Sequence, residues 1–361
     1  MHFFPRLILG GGTEYLVNFV EGLYESGVSS EILTSSIDNS GCHHLITRLR
    51  KCGHIQLIKF SVLPFILSSN FVRLLRVDSK YYSFHFHGIF TMRLGLLLRI
   101  FGRSVIYQPH GYWRSKRLGA NVIDVLIDLI AVYFASKVII TSPDETNNLS
   151  PLIRRMMQNK THIVLTRINH LKAPLVKYSP SAKTLICIAV HGVYQKGLDN
   201  LFKLMLQAKE NCLDLRLVHY YGSQEGEFEI LEQQIEDANL GKYYELRRAV
   251  ADVWSQRLEV MGFVSLSRFE GRSLAVQEAM AYELPILATE CAGHIDLLDK
   301  TCATLVDPED VDSQYSGLVT FMSEAAEREV KAATAKSLIL NEPSVIDMAN
   351  EIYKVHLPAK N

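Results

Sequence analysis

Two carboxylates, Glu270 and Glu278, flank the run Gly271-Arg272-Ser273-Leu274. An apolar stretch at 258–264 precedes them, and a helical pattern opens near Ser273. Residues 271–274 therefore fall on a strand-to-helix turn. Backbone N–H groups at a helix start have no intrahelical acceptor and sit at the positive end of the helix dipole, so such a turn can bind an anion. Ionised carboxylates only accept hydrogen bonds, and a pair beside an anion site suits a ligand rich in hydroxyls as well as phosphate. A sugar nucleotide has that chemistry. A capped helix with two solvated glutamates would show the same pattern without function.

Other candidates lie elsewhere. His85 and His87 alternate on an expected strand, so they face one side together. His110-Gly111 follows another strand in a loop, a position that favours function over packing. Asp310 and Asp312 mimic a D-x-D metal motif but lie in an acidic loop with Pro308, which reads as a helix N-cap. No metal is required. The six cysteines, at 42, 52, 187, 212, 291 and 302, show no zinc-like spacing. They read as buried small hydrophobes in a reducing compartment.

These residues need a frame, and the pattern supplies an α/β one. Strand-like runs fall at 3–4, 31–33, 55–60, 82–86, 104–107, 137–140 and 162–165, and again at 184–190, 215–220, 244–247, 258–264 and 286–288. Amphipathic segments separate most of them, as in parallel sheets. In 14–25, apolar residues at 15, 16, 19, 20 and 23 have helical spacing. Residues 169–181, with Pro174 and Pro180, read as a connector, and 344–355 as a final helix started by Ser344. Two doubly wound domains with a cleft between them follow: 1–172, 173–343, and a last segment, 344–361, that returns to the first domain.

Composition narrows the class. The chain has 361 residues, 48% hydrophobic and 21% charged, which excludes a disordered, collagen-like or coiled-coil chain. Its 38 basic and 38 acidic residues cancel, against a strongly basic nucleic-acid binder. The halves differ: residues 1–175 carry 20 Lys/Arg and 10 Asp/Glu, a net +10, and the remainder is −10. The basic half is suited to an anionic acceptor or surface. The most apolar stretch, 122–140, contains Asp124, Asp128 and Lys137 and reads as a buried helix running into a strand, not a membrane span. No secretory signal is visible, which points to the cytoplasm.

The spacing Glu270-x7-Glu278, followed by Ala279-Met280-Ala281 and Pro285, resembles the signature of retaining GT-B glycosyltransferases, family 4. Gln195-Lys196-Gly197-Leu198-Asp199-Asn200-Leu201 is similar to that family's K-G-x-D-x-L segment, and Gly11-Gly12-Thr13-Glu14 to its G-G-x-E loop. Phe84 to Gly88 and Gln108 to Gly111 resemble its two histidine segments, Thr141 to Glu145 its S-x-x-E, and Gly293 to Asp296 its G-x-x-E. The order holds over residues 7–320. Each match alone is weak; together they are specific for the superfamily but not for a substrate.

The resemblance implies roles. Glu278 would bond the ribose hydroxyls and Glu270 the donor sugar's. The amides of Gly271, Arg272, Ser273 and Leu274 would hold the sugar and pyrophosphate. Lys196 would neutralise the diphosphate leaving group. Gly11 and Gly12 would let the backbone approach the phosphates, and His110 would reach the reacting sugar from the acceptor side. Where the family has Gly-Arg five residues before the lysine, this chain has Val190-His191. The phosphate contact would then fall to His191 or to another cation such as Arg272, or donor binding would weaken. Glu283 replaces the usual glycine of a helix C-terminal left-handed site.

The implied activity is transfer of a hexose or related sugar from a nucleotide-diphosphate donor, UDP or GDP type, to a glycan or polyprenyl-linked acceptor. It would proceed with retention, in surface polysaccharide or glycoconjugate synthesis. A sugar phosphorylase, a nucleotide-sugar epimerase and a catalytically inactive binding module are the alternatives. No cofactor and no nucleic acid is implied. An anionic membrane surface is a further expected partner, through arginines such as Arg73, Arg76, Arg93, Arg99, Arg103, Arg114 and Arg117 with Lys116, and through an interfacial helix around Phe65 and Phe71.

Overall fold

The computed structural model describes the chain outside residues 59–68, 79–81, 112, 114, 116–118, 148, 170–173, 190–191, 223–226, 251 and 358–361. Phe65, Arg114, Lys116, Arg117 and His191 lie outside the described residues. Internal contacts divide the chain into two units: Met1–Ile8, Gly12–Arg167 and Pro343–Asn361 form one, and Leu9–Gly11 with Ile168–Glu342 the other.

The first unit begins with β1 (His2–Phe4), α1 (Gly11–Glu25), β2 (Ser30–Thr34), α2 (Asn39–Cys52), β3 (Gly53–Leu57), α3 (Ser69–Arg76) and β4 (Phe84–His87). It continues through α4 (Gly88–Ile100), β5 (Val105–Gln108), α5 (Val122–Phe134), β6 (Lys137–Ile140), α6 (Pro151–Met157) and β7 (Thr161–Ile163). The strands form one parallel sheet in the order β3-β2-β1-β4-β5-β6-β7. Alternation along β4 sends Phe84 and Phe86 into a core with α3, α4, α5 and α6. The opposite face of β4 carries His85 and His87, and Tyr15, Leu16, Phe19, Val20 and Leu23 of α1 are all buried.

The second unit contains β8 (Val176–Tyr178), β9 (Thr184–Ile188), α7 (Leu198–Glu210), β10 (Arg216–Tyr221), α8 (Glu227–Asp237), β11 (Tyr244–Arg248) and β12 (Leu258–Val260). Then come β13 (Gly262–Ser265), α9 (Leu274–Ala281), β14 (Ile286–Thr289), β15 (Thr304–Val306), α10 (Val311–Ser323) and α11 (Ala325–Leu340). Its sheet order is β11-β10-β9-β13-β14-β15, again parallel. Leu185, Leu217 and Leu287 pack against α7, α8 and α10 on one face, while Ile186, Val218 and Phe263 pack against α9 and α11 on the other. The last helix, α12 (Val345–His356), belongs to the first unit. Ser344 caps it reciprocally with Asp347, and Asn350 meets Ser26 of the α1 end at 2.9 Å.

Five expectations need correction. The run 258–264 is two strands, not one: the chain breaks at Met261, and β12 leaves the sheet to pair with β8. That pairing also makes a strand of Val176–Tyr178, inside what reads as a connector. The helix at 122–134 is not buried all round: Ile123, Leu126, Ile130 and Tyr133 are exposed while Asp124 and Asp128 are buried. Finally, α3 is not an interfacial helix. Phe71 and Leu74 enter the core and Arg73 pairs with Glu31 at 2.6 Å. Cys212 is exposed and Cys52 half-buried, so the cysteines are not uniformly core residues.

Candidate active site

Strand β13 delivers the chain to the carboxyl edge of the second sheet, where 266–273 turn it into α9. Two other loops meet this turn. Gly197 sets the first approach: its φ is +61°, and a Cβ there would fall 1.9 Å from the Leu266 carbonyl oxygen. Gly293 sets the second: its φ is +84°, and a Cβ would fall 2.6 Å from the Gly271 carbonyl oxygen. Neither position accommodates a side chain. Backbone bonds complete the junction: the Arg268 N–H donates to the Gln195 carbonyl at 2.8 Å and the Glu270 N–H to the Ala292 carbonyl at 3.0 Å.

Arg268, missed by the sequence reasoning, ties the turn to α7. Its guanidinium donates to Asp199 Oδ1 and Oδ2 at 2.6 and 2.8 Å, to the Tyr194 carbonyl at 2.9 Å and to Asn200 Oδ1 at 3.1 Å. It also lies 4.4 Å over the Tyr194 ring. A bidentate pair fixes geometry as well as charge. Its bonds to Asp199 raise the guanidinium above its ordinary pKa. The only hint in the sequence is its place between two segments already singled out.

This frame brings Glu270 and Lys196 together. Glu270 is 7% exposed, and its Oε1 accepts from Lys196 Nζ at 2.5 Å and from Ser267 Oγ at 2.8 Å. Burial alone would raise the Glu270 carboxyl. Lys196, with His294 and the bonds from Lys196 and Ser267, outweighs it and holds the group below its ordinary value. Glu270 is thus an anion at neutral pH. His294, buried, is kept in register by the Thr289 carbonyl at 3.0 Å; burial lowers its pKa while Glu270 beside it pulls the other way.

On α9, Ser273 is the N-cap, its Oγ accepting from the Val276 N–H at 3.5 Å. Gly271, Arg272, Ser273 and Leu274 therefore form the helix start, where amides lack intrahelical acceptors. Glu278, one face of the helix further on, accepts from Trp254 Nε1 at 2.8 Å. The buried guanidinium of Arg272 pairs with Glu342 at 2.5 Å and reaches Gln277 at 3.4 Å. Glu283 has φ +58°, with the Glu283 N–H bonded to the Met280 carbonyl and the Leu284 N–H to that of Ala279. That is a Schellman closure of α9 with a glutamate in the left-handed position. Asp310 caps α10 through the amides of Asp312 and Ser313, as its N-cap pattern suggests.

Gly11 and Gly12 open α1. A Cβ on Gly12 would lie 3.4 Å from Phe4, so the turn is closely packed. His110 and Gly111 both have positive φ, +58° and +76°. A histidine held there is strained, and the cause is Glu145. Its buried carboxylate accepts from the Gly111 N–H at 2.8 Å and from the Thr141 N–H at 2.7 Å. The His110 ring stacks on His87, 5.1 Å between centroids, bonds it at 2.9 Å, and meets Tyr15 edge-on. Burial lowers the His110 pKa to about 3, so the ring is neutral.

His87 continues into a buried cluster with His2, His85 and His356. Ring nitrogens of His2, His85 and His87 lie within 4.8 Å of one another. Among the described residues, no carboxylate or thiolate completes that group. Burial holds all three rings neutral.

Residues 182–324 match the family model described as glycosyl transferases group 1. No curated protein sequence matches the chain. Among solved structures, HepE of Anabaena in complex with UDP and glucose superposes with a TM-score of 0.76 at 15% identity, over 98% of this chain and 97% of that one. The fold is GT-B. Sucrose-phosphate synthase of Thermosynechococcus elongatus superposes on the same GT-B frame with a TM-score of 0.75 at 16% identity, covering 98% and 97%. TarM gives 0.75 at 12% identity, covering 98% of both chains. In this GT-B chain, Lys196, Glu270, Arg272 and Glu278 all lie inside the family-matched segment.

Proposed function

We propose that the chain is a glycosyltransferase that takes a sugar from a nucleotide-diphosphate donor, with UDP the first candidate because HepE is solved with UDP and with UDP-glucose. One observation carries the reading: within the segment that matches the group 1 transferases, Lys196 and Glu270 close on each other beside the start of α9. Lys196 neutralises the departing diphosphate; Glu270, kept ionised, accepts from hydroxyls of the donor sugar. The α9 amides at 271–274 hold the pyrophosphate, and Glu278, oriented by Trp254, accepts from the ribose hydroxyls. Gly11 and Gly12 admit the phosphates. His110, neutral, offers a hydrogen bond rather than a charge to the sugar.

The transfer runs with retention in this reading. The anomeric carbon–oxygen bond to the diphosphate breaks, the acceptor oxygen bonds the carbon on the same face, and the leaving phosphate takes the acceptor's proton. The acceptor is a glycan or polyprenyl-linked glycan, made at the cytoplasmic side of a membrane that the basic first unit approaches. No helix among the described residues is long and apolar enough to cross a membrane.

The test is thermal shift with UDP, GDP, ADP and CMP on wild type and Glu278→Ala. A diphosphate at 100 times its dissociation constant stabilises by about 2.7 kcal/mol. One diphosphate should shift wild type and not the variant. No shift with any of them would remove the donor reading in favour of an inactive module. Product NMR at the new anomeric centre checks retention.

A further inference from the structure

Helix α5 is built inside out. Its two carboxylates are buried: Asp124 closes a capping box with Asn121, and Asp128 accepts from the Ser115 N–H and Oγ at 2.8 and 2.7 Å. Its outward stripe is apolar instead. Ile123, Leu126, Ile130 and Tyr133, at helical spacing, are 64, 49, 45 and 66% exposed, and Val122 precedes them at 74%. An exposed stripe of this kind marks a contact surface.

The neighbours extend the pattern. Helix α5 packs against both α4 and α6, the crossovers to the flanking strands. Helix α4 exposes Phe90, Arg93, Arg99 and Ile100, and α6 exposes Leu152, Arg154 and Arg155. Among the described residues of the three helices, the only acidic side chains are Asp124 and Asp128, both withdrawn from the surface. The outer face thus combines large apolar side chains with four arginines and no exposed carboxylate. A protein partner or a second copy would need only the apolar stripe. An apolar stripe flanked by cations alone matches the acyl boundary and the headgroups of an anionic bilayer.

We infer that the outer face of α4, α5 and α6 docks on an anionic lipid bilayer, with α5 lying in the interface. This names the surface for the membrane partner in the function proposed above, and it stands on the exposed helix face rather than on the donor site. At about 1.5 Å per residue, α5 spans roughly 20 Å and lies along the surface rather than through it.

The experiment is flotation of the purified chain with vesicles of phosphatidylcholine, alone or mixed equally with phosphatidylglycerol. Three proteins are compared: wild type, Leu126→Gln with Ile130→Gln, and Arg154→Glu with Arg155→Glu. All four positions are exposed, so folding should be kept, and the UDP thermal shift of each variant checks it separately. Wild type should float with the anionic vesicles at low salt and much less at high salt. Each variant should lose at least about tenfold in partition. Wild type that ignores anionic vesicles, or variants that float as wild type does, would overturn the inference. So would a dimer in light scattering that the Leu126→Gln, Ile130→Gln variant abolishes, since the face would then belong to a second copy. An unchanged UDP shift with lost flotation separates this surface from the donor site. A missing UDP shift with intact flotation strikes only the catalytic reading.

Discussion

Lys196 Nζ sits 2.5 Å from Glu270 Oε1, joining two loops that are 74 residues apart in the chain. The pair explains how a carboxylate only 7% exposed stays ionised, since burial alone would favour its protonated form. In the proposed reaction the ammonium exchanges part of its bond to Glu270 for a diphosphate oxygen when donor arrives.

Removing the ammonium should therefore act twice. Lys196→Met should lower kcat by about 10²–10³-fold, as for loss of one charge-stabilising donor. It should also raise the Glu270 pKa, because burial then acts without its main opponent. A pH–rate profile whose acid limb stays at the wild-type position in the variant would refute the coupling.

Arg268→Met should loosen the same site from a distance. The side chain is 7% exposed and Asp199 is 38% exposed, so loss of the bidentate pair should cost about 1–3 kcal/mol in urea denaturation. UDP binding should weaken too, because Arg268 anchors the loop that carries Lys196. Normal UDP affinity at reduced stability would make Arg268 a purely structural residue.

The histidine cluster predicts acid sensitivity. Burial depresses His110 and His356 to about 3 from an ordinary 6.5, and His2 and His85 with His87 fall well below it. The unfolded chain takes up protons below pH 6.5 that the folded chain refuses. Stability is therefore complete above pH 6.5 and is lost progressively as pH falls towards about 3. Each such histidine contributes a slope of roughly 1.4 kcal/mol per pH unit. Urea midpoints between pH 7.5 and pH 5, wild type against His356→Gln, measure it; the variant should show the shallower dependence.

Glu283→Gly should stabilise the second unit. A non-glycine residue in the left-handed region costs about 1–2 kcal/mol, and the exposed Glu283–Lys336 pair at 2.8 Å is worth about 0–1 kcal/mol. The melting temperature should rise, with UDP binding unchanged.

Much of this protein is written locally. The short apolar run at 137–140 and the Phe-His alternation at 84–87 mark strands from their own residues, as buried parallel strands do. The caps Ser273, Asp310 and Ser344 need only the next few amides. The left-handed site at Glu283 was legible too, since helix closure is also a local event. Other features depend on partners distant in the chain. Val176–Tyr178 alternates over only three residues, too few to stand out, and becomes a strand by pairing with β12. Arg268 has no motif, and its role exists only once Asp199 and Tyr194 are beside it. Arg272 has a partner, Glu342, that lies 70 residues away in the chain and that no local pattern announces. The 122–134 segment looked like a core helix from its composition, and packing decided otherwise. Its two aspartates have bonds inside, Val125 and Leu129 pack on the core, and Ile123, Leu126 and Ile130 face out. Sequence determines which residues prefer burial; tertiary structure decides which preference is met when a helix has more apolar faces than the core can cover.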